Sequence, residues 1–483
     1  MKEEGNLQPP TFDQLPPGPR EAASSNEKKP IAPPHFSRSS RKTKPLLVGL
    51  GLILILIFIG LGVMFLRRRA KVVRKETTLI YWGLWEPEAV MQGVIAEWEE
   101  KHPSVKVKYI KQDKEDYRVR LQSAFSQGKG PDIFRFHQTW IPMLKGDLAP
   151  VPKEVVNTLG LERDYFSVIK ESLQQGGQFY AVPLMIDTLI LYYNKDILTA
   201  ANKSPPRTWW GLRELARELT VKDETGKIRT AGAALGTTNN VDHWSDVIGL
   251  MIYQNGGDPA RPNNQLVEDV LSFYTIFRRE DKVWDETLPN STLAFASGKL
   301  AFYFGPSWRV FNLLEANPQL NFAVIGVPQL PKLKETDWEL AEKGEAELTN
   351  IGWASFWVEG VWQKSKHQKE AWQFLQFLAS KEILQKLYTA ERQVRLFGEI
   401  YPRFDLAQTL TSDPLLAPFI EQARIAKTWY LCSATHDAGI NDRMIKYYQD
   451  AINAINQGEQ ITKALETLDQ GVQQVLTQYQ ISP

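Results

Sequence analysis

FYAVPLMIDTLILYYN, residues 179–194, is a long β-prone stretch with a single charge, Asp187, in an otherwise apolar run. It is too long for one ordinary strand, and Pro183 within it cannot donate to a sheet ladder. Such a stretch suits a chain that leaves one packed unit and enters another. The 407 residues that follow position 76 in this 483-residue chain also exceed one ordinary domain, so two packed units are expected.

Upstream of the crossing, strand and helix signals alternate. TTLIYWGLW begins at Thr77 as a β-prone run, and Glu86-Pro87-Glu88 opens a helix with acidic residues in its first turn. Met91, Val94, Ile95 and Trp98 give that helix one apolar face, and Pro103 ends it. Val105, Val107 and Tyr109 alternate with lysines as a second strand. A second helix places Tyr117, Leu121, Ala124 and Phe125 on one side, and Asp132-Ile133-Phe134 starts a third strand. This alternation predicts an α/β unit with a largely parallel sheet. Downstream, helices are expected around Leu212 to Leu219, Ala371 to Leu378, Ile445 to Ile455 and residues 461–475.

Charge is unevenly placed. Residues 1–76 hold 14 basic and 6 acidic side chains, a net +8, which leaves 43 basic and 50 acidic, a net −7, for the body. An acidic body argues against nucleic acid as the partner, because phosphate binding needs clustered Lys and Arg. One cysteine, Cys432, excludes an intrachain disulfide, and the six scattered histidines show no metal-ligand spacing. No phosphate-binding Gly-rich loop and no nucleophile elbow occurs. No metal and no cofactor is expected.

Residues 1–45 carry nine prolines among Ser, Glu and Lys, which predicts a disordered tail. LLVGLGLILILIFIGLGVMFL, residues 46–66, then runs without a charge. At about 1.5 Å per residue it spans a bilayer core of roughly 30 Å. Arg67, Arg68 and Arg69 follow where a signal-cleavage site would need small residues, so an uncleaved transmembrane helix is predicted, with 67–76 as a basic linker. Flanking charge slightly favours a cytoplasmic body, a bias that long translocated domains often ignore.

Taken in order, IYWGLWEPE, SAFSQGKGPDIFRFHQTW, YAVPLMIDTLILYYNKDIL, PRTWWGLRELARELT, FASGKLAFYFGPSW, IGVPQLP, IGWASFWV and KEAWQFLQFLASKE resemble the carbohydrate-type solute-binding proteins of ABC transporters, the family that includes maltose-binding protein. The resemblance covers nearly all of residues 77–483. It implies a two-lobe periplasmic-binding-protein-like fold with a hinge and an interlobe cleft. Lobe one would be 77–187 with 349–405, and lobe two 188–348 with 406–483. It further implies an extracellular body on a single-pass membrane anchor, a carbohydrate ligand, permease subunits as partners and a monomeric state.

Candidate ligand contacts follow from strand ends and from the resemblance. Trp82, Trp85 and Glu86 end the first strand, where open α/β sheets place ligands. Phe136, His137, Gln138, Thr139 and Trp140 end the third; the family's acidic sugar contact is Thr139 here, which argues against maltose itself. Asp187 matches a sugar-contacting Glu beside the hinge, and Trp308, after Gly305-Pro306-Ser307, matches a stacking Trp. Asn239, Asn240, Asp242 and Trp244 form a polar-aromatic loop, with Trp353 and Trp429 as further candidates. Replacing Asp187 or Trp308 is expected to weaken binding while leaving the unliganded melting temperature nearly unchanged.

A binding protein, not an enzyme, is the leading reading. Two alternatives stay open: a surface-anchored glycan hydrolase using Glu86 and Asp187 as a carboxylate pair, and a ligand sensor built on the same fold.

Overall fold

The computed structural model describes residues 76–332 and 338–481. The predicted tail 1–45, membrane helix 46–66 and all of linker 67–76 except Glu76 lie outside the described residues. Among the described residues, no helix is long and apolar enough to cross a membrane.

The chain begins as its apolar pattern predicts. Strand β1 (Thr77–Gly83) buries Leu79 and Tyr81, and helix α1 (Glu88–Lys101) buries Val90, Met91, Val94 and Trp98. Glu88 lies in the first turn of α1 and Lys101 in the last, each opposing the partial charge of its helix end. At the C-terminal end the His102 ring stacks on Trp98, with centroids 3.6 Å apart. Strand β2 (Val105–Lys111), helix α2 (Tyr117–Ser126) and strand β3 (Ile133–His137) follow, and every residue of β3 is buried.

The opening stretch is irregular, as its proline requires. Val182 bridges to Glu359 and Thr188 to Ala354 before regular pairing resumes in β4 (Ile190–Asn194). Helix α3 (Trp209–Leu219) starts where the Thr208 hydroxyl accepts from the Gly211 amide at 3.0 Å, a side-chain N-cap. Next come β5 (Val221–Lys222), β6 (Ile228–Ala233), α4 (Trp244–Gln254), β7 (Leu300–Gly305), α5 (Arg309–Ala316) and β8 (Phe322–Ile325). The chain returns through Gly352–Trp353, which pairs in parallel with Ala426–Lys427, and enters β9 (Trp357–Val361). Helices α6 (Gln368–Leu378), α7 (Lys381–Glu391), α8 (Ile440–Asn456) and α9 (Ile461–Gln478) complete the body.

Two main sheets result. The first has the order β9-β3-β1-β2, with β1 parallel to both neighbours and β9 antiparallel to β3. The second has the order β8-β4-β7-β6-β5, in which only the β6–β7 pair is parallel. The first sheet is the largely parallel unit that the alternation predicts. The second is mixed: β5 and β6 form a short antiparallel hairpin, whereas β4 pairs antiparallel with the sequence-distant β7 and β8.

Inside the first sheet sits a buried ion triad. Arg135 on β3 donates from Nη1 to both Glu86 oxygens at 2.7 Å, and from Nε and Nη2 to Glu359 Oε1 at 2.8 and 2.6 Å. The Tyr81 hydroxyl also donates to Glu359 Oε1, at 2.6 Å. Burial raises the Glu86 pKa, but the guanidinium more than offsets this and holds it below the usual carboxylate range. Arg135→Met should strand two buried carboxylates and cost about 3–5 kcal/mol in denaturant unfolding. A loss below about 1 kcal/mol would show that the triad contributes little to stability.

Candidate functional site

Between the two sheets lies a cavity of about 550 Å³. Trp85, Trp357, Ser355, Arg395 and Glu399 face it from the side of the first sheet, and His243, Trp308, Arg309 and Phe311 from the second. Asp187 and Trp353 line it where the chain crosses between the two, and Asp246 lines it from the first turn of α4. Trp85 and Trp357 meet edge to face at 5.3 Å, forming one aromatic wall. Phe311 of α5 touches Phe397 across the opening, with centroids 4.6 Å apart. A larger open groove of about 1120 Å³ runs between α6 and the 153–159 helix, but it belongs to one side only. Lobe closure cannot act on it, so the cleft is the candidate site.

Four of the residues singled out by sequence line this cavity: Trp85, Asp187, Trp308 and Trp353. Trp308 is 37 % exposed, unlike the fully buried Trp353. The indole of Trp353 fits because α4 carries Gly249 opposite it; a Cβ there would lie 2.3 Å from the ring.

The other candidates lie elsewhere, each for an identifiable reason. Glu86 turns inward to Arg135. His137 is buried one layer behind the wall, its Nε2 3.1 Å from Ser355 Oγ, and burial pushes its pKa down to about 3. Trp140 and Phe136 are core, with Trp140 packed against Trp357 at 5.2 Å. Gln138 donates to Thr428 Oγ1 and Thr139 accepts from Asn441, so both are committed to interior bonds. Trp244 is buried as the first residue of α4. Asn239 is exposed and accepts from Gln449, while Asn240 donates to the Asp285 and Leu288 carbonyls. Asp242 accepts from Asn290 and Thr292. Trp82 and Trp429 are half-buried against the core.

Trp357, His243, Asp246, Arg309 and Arg395 are among the cleft residues that escaped the sequence reading. Trp357 lies in the quoted IGWASFWV segment and could have been chosen from its aromatic character. The other four carried no such signal, since they enter the cleft through pairings distant in sequence. Beneath it, the carboxylates of Glu86, Glu391 and Glu399 lie within 4.8 Å of one another. Arg135 and Arg395 already pair with them, taking the place a cation would fill, and no metal site is assigned.

Two mixed α/β units around a cleft lined from both sides is the architecture of a hinged binding protein. The chain belongs to the bacterial extracellular solute-binding protein family, whose model matches residues 84–384. It is 28 % identical over 218 residues to the maltodextrin-binding protein MdxE of Bacillus subtilis, covering 41 % of this chain but only 45 % of that one. It is 24 % identical over 343 residues to the sn-glycerol-3-phosphate-binding periplasmic protein UgpB of Pectobacterium atrosepticum, covering 63 % and 70 % of the two chains. Among solved structures, the sugar-binding protein MalE of Xanthomonas citri superposes with a TM-score of 0.65 at 20 % identity, over 84 % of this chain and 98 % of that one. A cyclo/maltodextrin-binding protein complexed with maltotetraose gives 0.65 at 18 %, over 83 % and 98 %. At these identities the structural likeness is one of fold.

Asp187 lines the cleft and is also tied into the fold. Its Oδ1 accepts from the Thr188 and Ser307 amides at 2.8 and 2.9 Å, and its Oδ2 accepts from the Ser307 hydroxyl at 2.9 Å and amide at 3.2 Å. The carboxylate ties the crossing strand to the Pro306–Trp308 turn through three donors, the Ser307 amide being shared between its two oxygens. Burial pushes its pKa up to about 7. A raised carboxylate pKa favours folding below the unfolded value and loses that contribution as pH rises through about 4 to 7. Asp187→Ala is therefore expected to lower ligand-free stability by about 1–3 kcal/mol. Asp187→Asn, which keeps an acceptor and the shape, should retain most stability and flatten its pH dependence across that window. Unfolding curves over pH check both, and an Ala variant that melts like the parent would return Asp187 to the ligand.

Proposed function

We propose that the protein is a membrane-anchored, extracellular substrate-binding subunit of an ABC importer, taking a sugar or oligosaccharide into its interlobe cleft. The observation that carries this reading is the convergence of Trp85 and Trp357 from one side with Trp308 from the other. Indole faces cover the apolar faces of sugar rings, and polar groups between them fix orientation. A ligand touching both sides stabilises the closed form by contacts that the open form lacks. MdxE, a maltodextrin-binding protein, supports the ligand class, whereas UgpB is an sn-glycerol-3-phosphate-binding protein.

In this reading lobe one is 77–187 with 349–405 and lobe two 188–348 with 406–483. Residues 46–66 span the bilayer, residues 1–45 stay inside, and the monomeric body presents its closed form to permease subunits. A hydrolase would need two carboxylates free in the cleft. Glu86 is held by Arg135 and Asp187 by Ser307, so the pair imagined from sequence is not assembled there.

Thermal-shift screening with maltotriose, mannobiose, diacetylchitobiose and sn-glycerol 3-phosphate tests the ligand class. A ligand at a hundred times its Kd should stabilise by about 2.7 kcal/mol. No shift with any of the three saccharides, or turnover of one of them, would count against the proposal. Trp308→Ala should weaken saccharide binding by about 1–3 kcal/mol, with ligand-free melting nearly unchanged because the ring is already partly in solvent. Protease added to intact cells should remove the body; survival of the body with loss of the tail would reverse the topology.

A further inference from the structure

Trp308 and Trp353 are joined by a chain of polar contacts through the second lobe. Trp353 Nε1 donates to Asp246 Oδ1 at 2.8 Å. The other Asp246 oxygen lies 3.4 Å from His243 Nδ1, which is also 2.7 Å from the Ser433 hydroxyl. His243 Nε2 accepts from Arg309 Nε at 2.8 Å, so this nitrogen is unprotonated and the ring hydrogen sits on Nδ1. The Arg309 guanidinium then lies over the Trp308 ring, 4.3 Å from its centroid, and the His243 ring meets Trp308 at 5.6 Å, edge to face.

We infer that Asp246, His243 and Arg309 are positioning residues that set both indoles for the ligand and leave one face of Trp308 free to stack. This rests on the cleft being the saccharide site. His243 has backbone strain consistent with a functional constraint: it sits in the left-handed region, φ 59°, immediately before α4. Arg309 lacks a second full pairing, since its Nη2 is 3.5 Å from Asp242. Its Nη1 donates to Asn312 Oδ1 at 3.5 Å, and its shortest contact is the one to the imidazole.

Protonating His243 converts its Nε2 acceptor into a donor aimed at a guanidinium, so the relay works only with neutral imidazole. The charged groups facing the ring are Asp246 and Asp242 from its own segment and Arg309 from α5; Ser433 and Trp308 complete its surroundings. Burial lowers the His243 pKa from its usual value, and Arg309 lowers it further, against the opposing pull of Asp246. The neutral form therefore holds at neutral pH, and acidification opposes it.

The test labels the full-length protein in detergent with fluorotryptophan and assigns the fluorine resonances with Trp308→Phe and Trp353→Phe. The ligand-free Trp308 resonance should shift on acidification. It should be displaced at every pH in His243→Ala, and parent-like but unresponsive to pH in His243→Gln, whose amide oxygen replaces the acceptor. Arg309→Met cuts the same link without altering His243 and should move Trp308 but not Trp353. Maltotriose, mannobiose and diacetylchitobiose binding should fall about five- to tenfold in His243→Ala and recover in His243→Gln. An unmoved Trp308 resonance in His243→Ala and Arg309→Met, or an undiminished titration in His243→Gln, overturns the relay. If the parent binds none of these saccharides, the cleft reading fails instead, and the ligand-free spectra still decide the relay.

Discussion

The clamp of Arg135 on Glu86 and Glu359 is the constraint on which the aromatic wall of the cleft depends. Glu86 directly follows Trp85, and Glu359 lies two residues beyond Trp357 on β9. One guanidinium thus holds the end of β1, the centre of β3 and the antiparallel strand β9 in mutual register. A pair of hydrophobic residues could fill the same volume, and buried ion pairs are often no more stabilising than such a replacement. What the charges add is geometry: a guanidinium fork accepts carboxylates only from fixed directions. Trp85 and Trp357 inherit those directions.

Much of the first sheet was legible because each of its elements carries a local signal. The β1 alternation, the acidic opening of α1 and its apolar stripe are statements about neighbours a few residues apart. The 179–194 stretch was legible as a crossing for the opposite reason: its length and Pro183 contradict any single local element. The second sheet gave fewer clues. β5 is only two residues long, and most of the sheet's strands pair with partners distant in sequence, which no local pattern reveals.

The site was legible only in part, and the division is physical. Aromatic residues at strand ends and after the Gly-Pro turn were found because large side chains are scarce and conspicuous. Asp187 was found for its charge, but sequence cannot show that Ser307, 120 positions away, donates to its oxygens. Glu86 and His137 turn to interior partners: a polar residue at a strand end can face a ligand or an interior group, and that choice is tertiary. His243, Asp246 and Arg309 gave no signal alone, because their role exists only as a chain of contacts.

The ring pair of Phe311 and Phe397 bridges the opening, with the Arg395 guanidinium 5.5 Å from the Phe311 centroid. Such an aromatic contact is worth about 0.5–1.5 kcal/mol beyond its burial, at most roughly a tenfold bias. Moving a two-state equilibrium from mostly open to mostly closed needs a far larger preference, on the order of several kcal/mol. Cargo touching both sides would add to that preference. A partner that reads closure would then be answering to occupancy, with few false reports from empty molecules, and strengthening the ring contact by mutation would raise background before it raised sensitivity.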